Sequence, residues 1–182
     1  MDFTGRVYFS FGEADVYRFY RLLVGAAAEG TNVRVEWVGI APGGVPDGPM
    51  VGDSLATAIA EELRQGDEPC HAGYIQALLT AVHSEGIDLA HPGLIQLALE
   101  RAGCDPGTLL TAAHAPSLRA TLEASTAAAG ELGVTGVPAV YRHGPVLWIR
   151  TTGALATGRA TDRLRVVAAV MEDDGIWELR KP

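Results

Sequence analysis

An α/β chain with an all-helical insertion is expected from three stretches of this sequence. A strand–helix–strand run opens it, an Ala- and Leu-rich block with helical spacing fills the middle, and two short β-rich segments with an amphipathic helix close it. Arg6-Val7-Tyr8-Phe9-Ser10-Phe11 is dense in β formers and reads as a buried strand. Residues from Ala14 to Ala28 carry Tyr17, Phe19, Tyr20, Leu22, Leu23 and Val24, a bulky apolar helix that Gly30 ends. Val33 to Ile40 alternates as a second strand. A strand–helix–strand order makes the two strands parallel neighbours.

Ala41 to Met50 holds three prolines and three glycines and reads as a loop. Helices are expected beyond it at Ser54–Gln65, Ala72–His83, Pro92–Ala102, Pro106–Ala113 and Pro116–Glu131. Gly66, Gly86 and Gly103 serve as stops. Pro92, Pro106 and Pro116 suit first-turn positions, and Asp105 is a good N-cap. Ala139–Arg142 and Val146–Arg150 flank His143-Gly144-Pro145, a hairpin signal with glycine in the turn. Thr161 to Met171 places Leu164, Val167, Ala168 and Met171 on one helical face, and Glu172 to Leu179 reads as a turn and a short extended piece. The division that follows is residues 1–50 and 131–182 for the sheet domain and 51–130 for the helical insertion.

Composition excludes several classes. At 182 residues the chain can bury a full core, and its formal charge of −8 is unpromising for nucleic acid. The sole lysine is Lys181, and arginines are scattered rather than clustered. No apolar stretch reaches spanning length and no signal-peptide pattern opens the sequence, so a soluble cytoplasmic protein with no membrane contact is expected. Cys70 and Cys104 lie far apart in sequence and are expected to be buried or idle thiols in a reducing compartment. Cys70 beside His71 is a weak nucleophile–base pair, because adjacent residues seldom point the same way. His71, His83, His91, His114 and His143 lack ligand spacing, so no metal is expected. The glycines of Gly133–Gly136 form neither a GxGxxG nor a P-loop, so no nucleotide is expected.

Gly133-Val134-Thr135-Gly136-Val137-Pro138, the His143-Gly144-Pro145-Val146-Leu147 hairpin, Gly158-Arg159-Ala160-Thr161-Asp162-Arg163-Leu164 and the segment from Gly86 to Gly103-Cys104-Asp105 carry a family likeness. Through them nearly the whole chain resembles the cytoplasmic branch of the DsbA family, which includes FrnE-like oxidoreductases, kappa-class glutathione transferases and 2-hydroxychromene-2-carboxylate isomerases. The hairpin is similar to that of mycothiol-linked members. The resemblance implies a thioredoxin-like sheet in which Val137-Pro138 is a cis-proline loop facing the start of the first helix. Redox members carry Cys-Pro-x-Cys there, and the isomerase and transferase branches a serine that serves a bound thiol. This chain reads Phe11-Gly12-Glu13-Ala14-Asp15-Val16-Tyr17, with Glu13 and Val16 in the places of the two sulfurs. It matches neither pattern.

A helix start carries partial positive charge and free N–H groups, which suit a carboxylate as well as a thiolate. Glu13 or Asp15 therefore fills the place of the anion and disfavours a second one beside it. A carboxylate facing a cis-proline loop can act as general base, and Glu13 is the candidate. Asp15 and Tyr17 join it, Tyr17 lying one turn on as a hydrogen-bond donor to a substrate oxygen. Plain helix capping explains Gly12, Glu13 and Asp15 equally well, and Tyr17 reads as well as a core or interface aromatic. Ser10, Thr135, Gly136, Val137 and Pro138 are the candidate substrate-binding residues, the last three because backbone groups beside a cis-proline can pair with a ligand like an added strand.

Three functions stay open on this reading. The first is a non-redox isomerase, a double-bond or related proton-transfer enzyme acting on a conjugated small-molecule or acyl intermediate in specialised metabolism. The second is a transferase or reductase that borrows glutathione or mycothiol as a low-molecular-weight thiol cofactor; no other cofactor is expected. The third is a non-catalytic binder or partner subunit. A homodimer through exposed insert helices is expected with any of them.

Overall fold

The computed structural model describes residues 1–112, 115–144, 146–150 and 159–172. Four strands and seven helices run in the order β1 (Asp2–Phe9), α1 (Ala14–Ala28), β2 (Asn32–Gly39), α2 (Gly52–Gln65), α3 (His71–His83), α4 (Leu94–Ala102), α5 (Pro106–Ala112), α6 (Pro116–Glu131), β3 (Ala139–Tyr141), β4 (Leu147–Trp148) and α7 (Ala160–Glu172). The sheet order is β2-β1-β3-β4. β1 and β2 pair in parallel from Asp2↔Asn32 to Phe9↔Gly39, as the strand–helix–strand order requires. β3 runs antiparallel to β1, with Tyr8 opposite Ala139, and β4 antiparallel to β3.

Two apolar cores flank this sheet. On one side Phe3, Val7, Val140 and Leu147 meet Phe19, Leu22, Leu23 and Ala26 of α1 and Leu164, Ala168 and Met171 of α7. On the other, Phe9, Phe11, Val38 and Ile40 meet the insertion through Ile59 and Leu63 of α2, Tyr74, Ile75 and Leu78 of α3, and Leu118 and Leu122 of α6. The helical spacing of these residues, three and four apart, is what turned each insert helix toward the sheet.

α2 reaches the sheet most closely at Gly39. A β-carbon there would stand 2.7 Å from Thr57 Cγ2, so the absence of a side chain lets the helix lie on the strand end. Glu61, fully buried, accepts the Gly39 N–H at 2.6 Å, the Ser125 hydroxyl of α6 at 2.5 Å and the Arg64 guanidinium at 2.8 Å. Arg64 also pairs with Glu36 of β2, which holds Arg6 of β1, each at 2.8 Å. The 40–51 loop is fixed from α6, where the Arg119 guanidinium donates to the carbonyls of Pro46 and Gly48.

Several boundaries differ from expectation. β1 begins at Asp2 and stops at Phe9, because its pairing with β2 starts at the first residues and the chain turns after Phe9. Phe11 stays fully buried beyond the strand, edge-on to Phe9 at 5.2 Å and Tyr74 at 5.8 Å, so its β-forming character serves packing instead. Pro92 lies in a turn before α4 rather than in its first helical turn, since Leu94 N–H bonds back to His91. α3 begins at His71, one residue before the expected Ala72, and ends at His83 as expected. Asp105 does cap the start of α5 through the Gly107 N–H at 3.0 Å. His114, Pro145 and the expected extended tail beyond Glu172 lie outside the described residues.

The expectation of two idle thiols is corrected. Cys70 and Cys104 form a disulfide across 34 positions of sequence, with Cα atoms 5.6 Å apart. The physical reason is the antiparallel packing of α3 on α4: a β-carbon at Gly73 would stand 3.3 Å from that of Ala102, so Cys70, just before α3, meets Cys104, two residues past the end of α4.

His71, next to that bridge, buries its Nε2 with no hydrogen-bond partner among the described residues. Burial pushes its pKa below the ordinary histidine value, with Glu61 pulling it up and Arg64 down. The unfolded chain then takes up a proton that the folded chain refuses, so stability falls as pH drops below about 6.5 and is unaffected by this group above it. His71→Gln should flatten that acid limb, measured as urea midpoints between pH 7.5 and pH 5.

Candidate functional site

The loop from Ser10 to Glu13 joins β1 to α1 and is gripped by the insertion at both backbone polar groups of Phe11. Phe11 N–H donates to Asp53 Oδ1, in the first turn of α2, at 2.7 Å. The same oxygen accepts the Thr57 hydroxyl at 3.2 Å, which fixes the carboxylate. The Phe11 carbonyl accepts from His83 Nε2, at the end of α3, at 2.8 Å. A carbonyl accepts only, so Nε2 carries the proton there, and in the neutral ring Nδ1 is left as an acceptor.

The Tyr17 ring stacks on His83, with centroids 5.4 Å apart and planes 18° from parallel. Arg21 donates to the Tyr17 hydroxyl at 3.2 Å. That bond, with a smaller contribution from Ser84, holds the phenol below its ordinary pKa against the opposing effect of burial. Tyr17 is thus tied to the α3 terminus, as the reading of an aromatic packed between elements anticipates, and its oxygen sits beside a cation.

Glu13 is the N-cap residue of α1, exposed, and its carboxylate makes no capping hydrogen bond; its backbone carbonyl accepts the Val16 N–H at 3.0 Å. Plain side-chain capping is therefore not what Glu13 does. Asp15 pairs with Arg18 at 2.8 Å across one turn. Val16 is fully buried. Ser10 is buried at the end of β1.

Val137–Pro138 is a cis peptide. The Tyr8↔Ala139 register carries it to the carboxyl end of β1, where the 10–13 loop also begins. Val137 and Pro138 are buried, Gly136 is half-buried and Thr135 is exposed. Trp148 of β4 lies over this loop, its indole N–H directed at the Val137 carbonyl at 3.4 Å. A cleft of about 200 Å³ opens beside Asp53, between Thr57 and the Ile40–Gly44 loop.

The structure thus joins Tyr17 to His83 and Arg21, sets Asp15 on Arg18, and leaves Glu13 as the exposed carboxylate at the helix start. Asp53, His83 and Trp148 are the site residues that sequence reasoning missed. In sequence Asp53 lies just before the expected helix start at Ser54, and His83 is one of five histidines without ligand spacing. Each has its partner in the Phe11 peptide, far away in sequence, and only the position of Asp53 after the Pro/Gly-rich loop gave a signal. Among the described residues no three His, Cys, Asp or Glu side chains converge on one point.

Comparison with solved structures finds the same architecture. A 2-hydroxychromene-2-carboxylate isomerase superposes with a TM-score of 0.70 at 18% identity, covering 93% of this chain and 95% of its own. The oxidoreductase DsbA from Xylella fastidiosa superposes with a TM-score of 0.59 at 19% identity, covering 93% and 84%. Pseudomonas aeruginosa DsbA gives 0.58 at 20% identity, covering 93% and 82%. At these identities the likeness is one of fold. No curated protein matches this sequence. A family model for the DSBA-like thioredoxin domain matches residues 46–164, more than half of the chain, and on that match the chain belongs to the DSBA-like thioredoxin domain family.

Proposed function

We propose that this chain is a non-redox member of its family, a small-molecule enzyme that moves a proton along a conjugated substrate and so shifts a double bond. The observation that carries the reading is the makeup of the α1 start: an exposed carboxylate, Glu13, with no sulfur beside it, while both cysteines are bonded to each other in the insertion. The superposition on an isomerase supports it by analogy of fold.

In this mechanism Glu13 takes a proton from the carbon next to the unsaturated system. The electron pair of that C–H bond becomes the new double bond, the old one shifts, and a proton returns at the far carbon. Tyr17 returns that proton or holds a developing oxyanion, a role that its phenol, held below its ordinary pKa by Arg21, supports. Asp53 and His83 fix the Phe11 peptide and keep the loop in position. No cofactor enters, and the substrate is a small molecule or acyl compound.

The test is an ultraviolet assay on a panel of α,β-unsaturated carbonyl and arylidene compounds in D2O, without added thiol. Turnover with solvent deuterium incorporation is expected. Glu13→Gln should lower kcat/KM by about 10²-fold, the low end for a general base because this carboxylate is exposed to water. Insulin-disulfide reduction should show no catalysis. Activity that appears solely with glutathione or mycothiol would favour the transferase reading. Tight ligand binding with no turnover and no response to Glu13→Gln would favour the binder.

A further inference from the structure

Both carbonyl groups of the Val137–Pro138 step are already engaged by the chain itself. A loop of this kind takes an extended polypeptide by lending it backbone N–H and C=O groups, as a sheet edge does. Proline has no N–H, so the pairing groups at the Val137–Pro138 step are the Val137 N–H and the two carbonyls. The Val137 carbonyl faces the Trp148 indole N–H at 3.4 Å, and the Pro138 carbonyl accepts the Ile149 N–H at 2.9 Å.

The ring of Trp148 also covers the approach. A β-carbon on Gly136 would lie 3.0–3.1 Å from three atoms of the indole, so the ring rests directly on glycine backbone. The Arg150 guanidinium stacks on the same indole at 4.5 Å from the centroid. Trp148 nevertheless keeps 44% of its surface exposed, so the core does not require its burial. A large aromatic held over a loop by one long hydrogen bond and one cation is a cover rather than a core residue.

We propose that Trp148 is a specificity-determining residue that closes the cis-proline loop to extended polypeptides and confines the site to small molecules. The inference rests on the proposed reading only in taking this loop as the border of the substrate site. Its physical content is that removing the ring frees the Val137 carbonyl and the Gly136 backbone for strand pairing.

The experiment titrates the full chain and its Trp148→Ala and Trp148→Phe variants into a fluorescein-labelled octapeptide of alternating Thr and Val, followed by anisotropy. Trp148→Ala should bind at least about tenfold more tightly than the unmodified chain. Trp148→Phe, which keeps the cover and loses the N–H, should gain less. Trp148→Leu serves if the alanine variant is poorly folded by circular dichroism, since leucine fills apolar space without covering Gly136. Equal peptide binding by the unmodified chain, or no gain in a folded alanine or leucine variant, overturns the proposal. The readout needs no turnover, so failure of the isomerase reading leaves it intact. A peptide gain alongside an inert Glu13→Gln variant would remove the assigned reaction alone.

Discussion

Glu61→Ala should lower the free energy of unfolding by about 3–5 kcal/mol, the cost of breaking a buried, hydrogen-bonded ion pair from one side. The carboxylate is fully buried and receives the Gly39 amide, the Ser125 hydroxyl and the Arg64 guanidinium. Truncation strands all three at the junction of β2, α2 and α6. The outer half of the same chain of charges behaves differently. Arg6 and Glu36 are both largely exposed, and Arg6→Ala should cost no more than about 1 kcal/mol. Glu61→Gln should fall between, because it keeps an acceptor oxygen but turns an amide NH2 toward Arg64. Replacing Glu61 and Arg64 together by leucine should cost less than Glu61→Ala alone, since no unpaired charge remains. Urea midpoints at constant slope report these differences. The site responds as well. Asp53 lies about two turns before Glu61 on the same helix and holds the Phe11 peptide, so an α2 loosened at Glu61 releases the loop that presents Glu13.

The outline of this fold was legible because it rests on local periodicity. The alternation of Val33–Ile40, the apolar face of α1 and the prolines at α5 and α6 each speak within a window of a dozen residues. The place of Glu13 at the helix start and the cis peptide before Pro138 were legible through the family likeness and are where it implied. What escaped was the pairing of polar groups across long separations. Glu61 reads in sequence as one of two adjacent glutamates on a solvated helix face, with Arg64 one turn on. Its burial is decided by Gly39, twenty-two residues earlier, and Ser125, sixty-four later. His83 finds its partner at Phe11, seventy-two residues back. Trp148 reads as a hydrophobic strand residue. Its role as a cover follows from the bare backbone at Gly136, and that relation exists in three dimensions alone. Cys70 and Cys104 stand 34 positions apart in sequence, whereas the antiparallel packing of α3 on α4 sets their separation in space.

In the absence of reductant, Cys70→Ser or Cys104→Ser should cost about 3–4 kcal/mol, the loop-closure value for a 34-residue separation. Dithiothreitol should bring the unmodified chain to the same urea midpoint and leave either variant unchanged. The loss arises in the unfolded chain, which gains freedom, more than in the folded one. α3 and α4 remain packed through Tyr74, Ile75, Leu78, Ala98 and Leu99, all buried, and through the close approach of Gly73 to Ala102. A folded insertion should therefore survive reduction at moderate temperature. This separates stability from chemistry. α3 ends at His83, which grips the Phe11 carbonyl from the far end of the helix, about 20 Å from the bridge. With α3 still seated, the loop bearing Glu13 keeps its shape, and turnover measured well below the unfolding transition should be equal in the bonded, reduced and serine forms. A fall in turnover on reduction, reproduced by both serine variants while circular dichroism stays constant, would instead place the Cys70–Cys104 bond within the reaction and return this chain to the redox side of its family.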